Sequence, residues 1–215
     1  MARYILRIWL DDRPGALGQV ASRIGAVRGD LVGIEILERG AGKAIDEIVV
    51  EIPSNDLLDL LIREIHEVDG VDVEDVRESN YNDFDIRLAP LEVATRLLDC
   101  EAELLLFEAL ATNIHATFDL SYAAVIDSLG DRLVAGSGEL ANEAWLVAFA
   151  KGGSVRTDYK DGHAPSDDMF LIGLDFHGHF LICHRDARPL RALERSQIWM
   201  LSRICSQHAR RLAKI

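Results

Sequence analysis

The sequence predicts an α+β chain in two parts. A βαββαβ sandwich fills the first 80 residues, and a connecting helix leads to a second antiparallel sheet between helices. Three observations carry this. Apolar residues alternate with period two in several short runs, as strands with one buried face require. Between those runs lie stripes at helical spacing. From Pro90 onward the pattern changes to one long helical stripe, hairpin signals and a closing helix.

The first strand is set by Tyr4, Leu6, Ile8 and Leu10, which alternate with Arg3, Ile5, Arg7 and Trp9. Leu17, Val20, Ala21, Ile24 and Val27 make the stripe of the first helix, with Pro14 suited to its first turn. Val32, Ile34 and Ile36 alternate with Gly33 and Glu35 in a second strand. Ile48, Val50 and Ile52 alternate with Glu47, Val49 and Glu51 in a third, and the turn-rich segment 39–43 joins them as a hairpin. Ser54 or Asn55 can cap the next helix, whose stripe is Leu57, Leu58, Leu61, Ile65 and Val68 and which Asp69 and Gly70 end. Val71, Val73 and Val76 close the sheet. This order gives a ferredoxin-like sandwich with helices on one face and the other face open. Trp9 falls on the open face with Arg3 and Arg7. An exposed indole there implies packing on a second subunit or on the other domain, unless the arginine stems merely cover it.

In the second part, Pro90 opens a long helix through Val93, Leu97, Leu98, Leu104, Leu105 and Ala111, bounded by Thr112 and Asn113 and read as a connector that could transmit a signal. Tyr122, Ala124 and Ile126 form a strand, 129–131 a turn and 132–135 a second strand. A short helix carries Trp145, Val147 and Phe149, and a Gly-, Asp- and His-rich loop spans 151–168. The runs 169–176 and 180–184 form a hairpin about His177, Gly178 and His179, both rings solvated. The chain closes with a helix from about Pro189 bearing Leu193, Ile198, Leu201, Ile204 and Leu212 on one side. The expected boundaries are therefore 1–80, a linker and helix at 81–113, and 114–215, with the helix at 90–113 able to join the last part.

Composition excludes several classes. A net charge of −13 over 215 residues argues against a nucleic-acid surface, which needs a basic stripe. No segment has the roughly 18 uninterrupted apolar residues of a membrane span, and the start lacks the pattern of a secretion signal. A cytoplasmic protein is expected. Cys100, Cys183 and Cys205 lie far apart in apolar runs and read as reduced core thiols.

The run Asp12, Arg13, Pro14, Gly15, Ala16, Leu17 joins the first strand to the first helix. Such a turn leaves helix amides open to an anionic group, although a plain corner capped by Asp12 would use the same residues. With Gly29, Asp30, Leu31 and Val32 at the second strand, this half resembles an ACT domain, a regulatory module that commonly binds amino acids. The resemblance implies a homodimer whose ligand sits between the first loop of one subunit and the second strand of its neighbour. It implies Gly15, Ala16 and Leu17 as amide contacts, Asp12 as a polar one, and Pro14, Leu31 and Gly33 lining the site. Many amino-acid-binding members carry Asn where this chain has Leu31. The second half resembles, more weakly, a small GAF-like or roadblock-like sensor domain through residues 170–176, 180–189 and the closing helix.

Other constellations read as structural. Asp158, His163, Asp167, Asp168, His177 and His179 could be imagined as a metal or hydrolytic site, but no His-x-x-x-His spacing exists. Ser137 between Gly136 and Gly138 fails the nucleophile-elbow pattern, because position 135 is Ala, and the segment lacks the Lys of a phosphate cradle. Asp56, Asp59, Glu64 and Glu67 make a solvated helix face. The expectation is a non-catalytic regulatory protein that binds a small effector such as an amino acid and passes its signal from the ACT-like dimer to the GAF-like domain or a partner, with no cofactor, no metal, no membrane and no nucleic acid. The alternatives are a trans-acting subunit scaffolding a metabolic enzyme without a ligand of its own, and a metal-assisted hydrolase using His163 and Asp168.

Overall fold

The computed structural model describes residues 1–79, 88–154, 163–166, 168–174 and 177–214. The chain divides into two compact units, Met1–Asp83 and Phe84–Ile215.

The first unit runs β1 (Ala2–Asp11), α1 (Ala16–Ala26), β2 (Asp30–Gly40), β3 (Lys43–Ile52), α2 (Leu58–His66) and β4 (Asp72–Glu78). Its strands pair antiparallel in the order β2-β3-β1-β4. On one face Leu6, Ile8, Leu10, Ile48, Val50 and Ile52 pack with Val20 and Ile24 of α1 and Leu61 and Ile65 of α2. Each such side chain taken from water is worth about 1.5–3 kcal/mol. The Ser54 side chain accepts from the Asp56 N–H, making Ser54 the cap of the turn that leads into α2.

The second face is not open. Ile5, Arg7, Leu37, Ile45 and Glu47 are all buried. The Arg7 guanidinium holds Glu47 through Nη2 at 2.8 Å, Arg77 reaches the same carboxylate at 2.9 Å, and Trp9 Nε1 donates to Glu74 at 3.1 Å. Ion pairing is what permits charged residues on a covered face. Three other apolar residues of β2 behave in the opposite way. Val32, Ile34 and Ile36 are 44%, 40% and 41% exposed, because β2 is an edge strand and the two helices cover the strands inside it.

The second unit contains α3 (Ala89–Leu98), α4 (Glu103–Thr117), β5 (Tyr122–Asp127), β6 (Arg132–Gly138), α5 (Glu143–Ser154), β7 (His163–Ser166), β8 (Met169–Gly173), β9 (His179–His184) and α6 (Ala192–Leu212). The sheet order is β6-β5-β9-β8-β7 and all pairings are antiparallel. Alternate residues of β5, β8 and β9 serve two cores. Ala123, Val125, Phe170, Ile172, Leu181 and Cys183 face α3, α4 and α6, while Ala124, Ile126, Leu171 and Ile182 face Leu146, Val147 and Ala150 of α5.

The expected single connector helix is broken at 99–102. An unbroken helix would carry the stripe of Val93 and Leu97 onto Glu101, Leu104 and Glu108. The break instead buries Leu106, Phe107, Leu110 and Ile114 and leaves both glutamates in water. His208 Nε2 lies 2.8 Å from the Cys100 carbonyl inside the break. The pair α3 and α4 is therefore part of the second unit's core. The loop expected over 151–168 is partly regular, since α5 runs to Ser154 and β7 begins at His163. At the β8–β9 turn His177 is exposed, but His179 is 6% exposed and stacks on Phe107 at 4.9 Å. Residues 155–162, 167 and 175–176 lie outside the described residues, among them Asp158, Asp167 and Phe176. No helix among the described residues is long and apolar enough to cross a membrane.

Candidate functional site

The corner between β1 and α1 is built around Gly15, which is the N-cap of α1 at φ 89°, ψ −12°. That left-handed conformation suits glycine, and a Cβ placed there would meet nothing within 4 Å. With Gly15 as cap, Pro14 stands before the helix instead of inside its first turn, and Asp12 does not cap it. No side chain caps α1 and no acidic residue lies in its first turn. The Ala16 N–H reaches the Arg13 carbonyl at 3.3 Å and the Gln19 N–H the Gly15 carbonyl at 3.1 Å. The amides of Leu17 and Gly18 have no carbonyl outside the helix opposite them among the described residues. Open amides at a helix start carry positive potential.

Each expected site residue has a definite place. Asp12, Arg13, Pro14 and Gly15 are exposed, Leu17 is half-buried, and Ala16 is buried in the core. The Asp12 N–H donates to the Gly42 carbonyl at 3.0 Å, and its carboxylate has no bonded partner among the described residues. Its neighbour Asp11 is occupied by Lys43 at 2.7 Å, and this bond holds the Asp11 carboxyl below its ordinary value.

Leu31 and Gly33 sit at the far end of the sheet. Asp11 pairs with Lys43 and Lys43 with Gly40, whereas Leu31 pairs with Val50 and Val50 with Tyr4. Eight residues of strand separate Leu31 from Arg39 at the corner end, on the order of 25 Å. One chain cannot bring Leu31 and Gly33 to Gly15. Two chains joined antiparallel along their β2 edges would do so in the register that sets residue 31 of one strand beside the 38–40 end of the other.

Sequence reading missed Asp46. It lies in β3 in register with Ala44 and Ile48, on the helix-covered face, between Ile8 of β1 and Ile36 of β2. The signal was present, since carrying the apolar alternation of β3 one step back from Ile48 meets an acid in a core position. Asp46 is 3% exposed and its Oδ1 is buried with no hydrogen-bond partner among the described residues. Burial raises its pKa, Arg39 opposes that from a distance, and Asp12 adds to it.

The second unit holds two polar groupings. His184 Nε2 lies 3.4 Å from Asp168 and 3.5 Å from Asp186, and its ring sits 5.0 Å from that of Tyr122. Asp168 thus meets His184; of the His163 backbone, the structure gives pairing with Leu171 in β7. Among the described residues no group of three His, Cys, Asp or Glu side chains could hold a metal ion. Ser137 lies within β6 and its Oγ is 3.1 Å from His115 Nδ1. A Cβ on Gly138, whose φ is 91°, would come 2.3 Å from the Ser121 carbonyl, so the backbone requires glycine beside that pair.

The chain matches no protein-family model and no curated protein. Several solved structures are similar to parts of it. An uncharacterized protein from Thermotoga maritima is 24% identical, covers 36% of this chain and 96% of its own length, and has a TM-score of 0.29. The GAF domain of a phosphoenolpyruvate-protein phosphotransferase from Acinetobacter is 8% identical over 61% of this chain and 96% of its own, with a TM-score of 0.44. Free methionine-R-sulfoxide reductase from Neisseria meningitidis is 15% identical over 60% of this chain and 90% of its own, with a TM-score of 0.41.

Proposed function

We propose that this chain is a non-catalytic regulatory protein. It binds a small effector, of the amino-acid class, at the corner between β1 and α1, and β2 of a second copy completes the site. The observation that carries the reading is the uncapped start of α1, with Gly15 open to solvent, two amides without carbonyls among the described residues, and Asp46 buried beneath the same end of the sheet with its Oδ1 unpartnered among them. The exposed Val32, Ile34 and Ile36 on an edge strand support a homodimer, since an apolar edge left in water invites pairing. Element order and strand order support the ferredoxin-like, ACT-like reading of the first unit, and its site would couple ligand to assembly because a ligand touching both copies favours the docked state.

A second reading has its own observation. Leu88, Leu91, Leu98, Leu104 and Leu105 are all more than 45% exposed on α3, α4 and the turn before them, an apolar face suited to a partner enzyme. The test is a thermal-shift screen of the twenty amino acids with sedimentation of the same samples. An effector that raises the unfolding temperature and the dimer fraction together supports the first reading, since a ligand of the native state stabilises it by mass action. No shift with any amino acid, and co-purification with a catalytic subunit, would establish the second.

A further inference from the structure

Asp46 is an exception to how this molecule treats buried charge. Arg7, Glu47, Arg185 and Glu194 are also buried, and each is bonded to an opposite charge within 3 Å. Asp46 has Arg39 and Asp12 only at a distance and an oxygen, Oδ1, with nothing bonded to it among the described residues. Burying a carboxylate without a partner costs several kcal/mol. Native structures keep few such groups, and each calls for a reason.

Its place in the sheet supplies one. Asp46 lies one strand in from the open edge, its neighbour Ile36 is half in water, and Ala44, the next residue in its column, pairs with Leu10 at the end of β1 from which the Gly15 corner springs. The corner thus joins donors without acceptors, the Leu17 and Gly18 amides, to an acceptor without a donor.

We infer that Asp46 is the cation anchor of the effector site, so that the ligand must carry an ammonium group, held by Asp46, along with an anionic end held by the amides of α1. This rests on the effector-site reading above and narrows it. Carboxylates, phosphates or nucleotides lacking an amine would leave the Asp46 oxygen unpartnered and bind poorly.

The test uses the full chain and two arms. In the first, each of the twenty amino acids is compared, by thermal shift and calorimetry on the wild type, with the carboxylic acid that lacks its α-amino group. In the second, the best amino acid is titrated into Asp46→Asn and Asp12→Asn, with the unliganded unfolding temperature confirming that each variant folds. The expected result is loss of binding by the deaminated acid and binding weakened about tenfold or more in Asp46→Asn, the scale of a charge-assisted hydrogen bond. Asp12→Asn, whose carboxylate is exposed, should weaken it less. Equal binding by the deaminated acids, or an undiminished affinity in Asp46→Asn, overturns the anchor and leaves the effector site standing. Absence of any amino-acid effect on the wild type removes the effector site itself. Should Asp46→Asn fail to fold, Asp46→Ser takes its place in the second arm, with the same expected loss and the same overturning result.

Discussion

Arg185 in the second unit and Asp46 in the first are both charges almost without solvent, and they are treated in opposite ways. Arg185 is 1% exposed and every donor of its guanidinium is used. Nε donates to the Arg188 carbonyl, Nη1 to Phe118 O and Glu194 Oε1, and Nη2 to Pro189 O and Glu194 Oε2, at 2.6–2.9 Å. Glu194 also accepts from the Arg191 N–H at 2.7 Å, closing the start of α6. Such a network orders the end of α4, the loop after β9 and α6 around one side chain, and leaves no valence for a ligand. Asp46 orders nothing by bonding. The difference separates a charge kept for architecture from one kept for recognition.

The largest expected effect is on the satisfied charge. Arg185→Met should destabilise the protein by about 3–5 kcal/mol, the cost of breaking a buried pair from one side. It strands the Glu194 carboxylate and three carbonyls together. The denaturant midpoint reads it, and a loss under 1 kcal/mol would erase the contrast.

Asp46 should respond with the opposite sign. Asp46→Leu removes a desolvated charge and supplies apolar contact, so stability at pH 7 should rise by about 1–3 kcal/mol. The pH dependence follows from the raised pKa. Between its ordinary value of 3.8 and the higher folded value, the native state holds this proton more tightly than the unfolded chain does. The contribution of Asp46 to stability therefore falls as pH rises through that window, and its full cost stands above it. Subtracting the Asp46→Leu pH profile from the wild type should show that fall; a flat difference would mean that Asp46 finds a partner in solution.

Legibility in the sequence followed the same divide. The order β1 to β4, the cap at Ser54 and the hairpins of the second sheet were readable because alternation, helical stripes and turn residues act within a few positions, although α2 ends at His66 with Glu67 as its cap, before the expected Asp69 and Gly70. The break between α3 and α4 was not, because it depends on which leucines the sheet accepts, and Leu97 and Leu106 satisfy two different stripes. Likewise Val32, Ile34 and Ile36 read as an ordinary buried face, since periodicity cannot tell a central strand from an edge. The Gly15 corner was legible as a turn, whereas the pairing of Arg7 with Glu47 and Glu74, and of Arg77 with the same Glu47, joins three strands distant in the chain.

A smaller effect is expected at Gly15. Alanine there finds free space but must adopt φ near 89°, which costs about 1–2 kcal/mol. The fold should persist, with a modest fall in unfolding temperature. Gly15→Val adds branching at the mouth of the amides and should abolish effector binding. Retained binding in a folded Gly15→Val would move the ligand elsewhere.

The smallest change in stability is expected where the two sheets differ at their edges. In the second unit, edge strand β6 presents Arg132, Gly136, Ser137 and Gly138, small or charged residues that discourage pairing with another chain. Edge strand β2 presents Ile34 and Ile36 instead, in register with Ile48 and Asp46. A lysine at position 34 stays in water on the monomer, so Ile34→Lys should alter monomer stability by less than about 0.5 kcal/mol. In a dimer built on β2 the same lysine must leave water against the 35–37 stretch of the second copy, close to its twin, and like charges on neighbouring cross-strand positions repel. Sedimentation should then show monomers at concentrations where the wild type is dimeric, and effector binding should weaken with it, because Leu31 and Gly33 reach the corner only across that edge. A dimer that survives Ile34→Lys would place the association on another surface, with the exposed leucines of α3 and α4 the next to substitute.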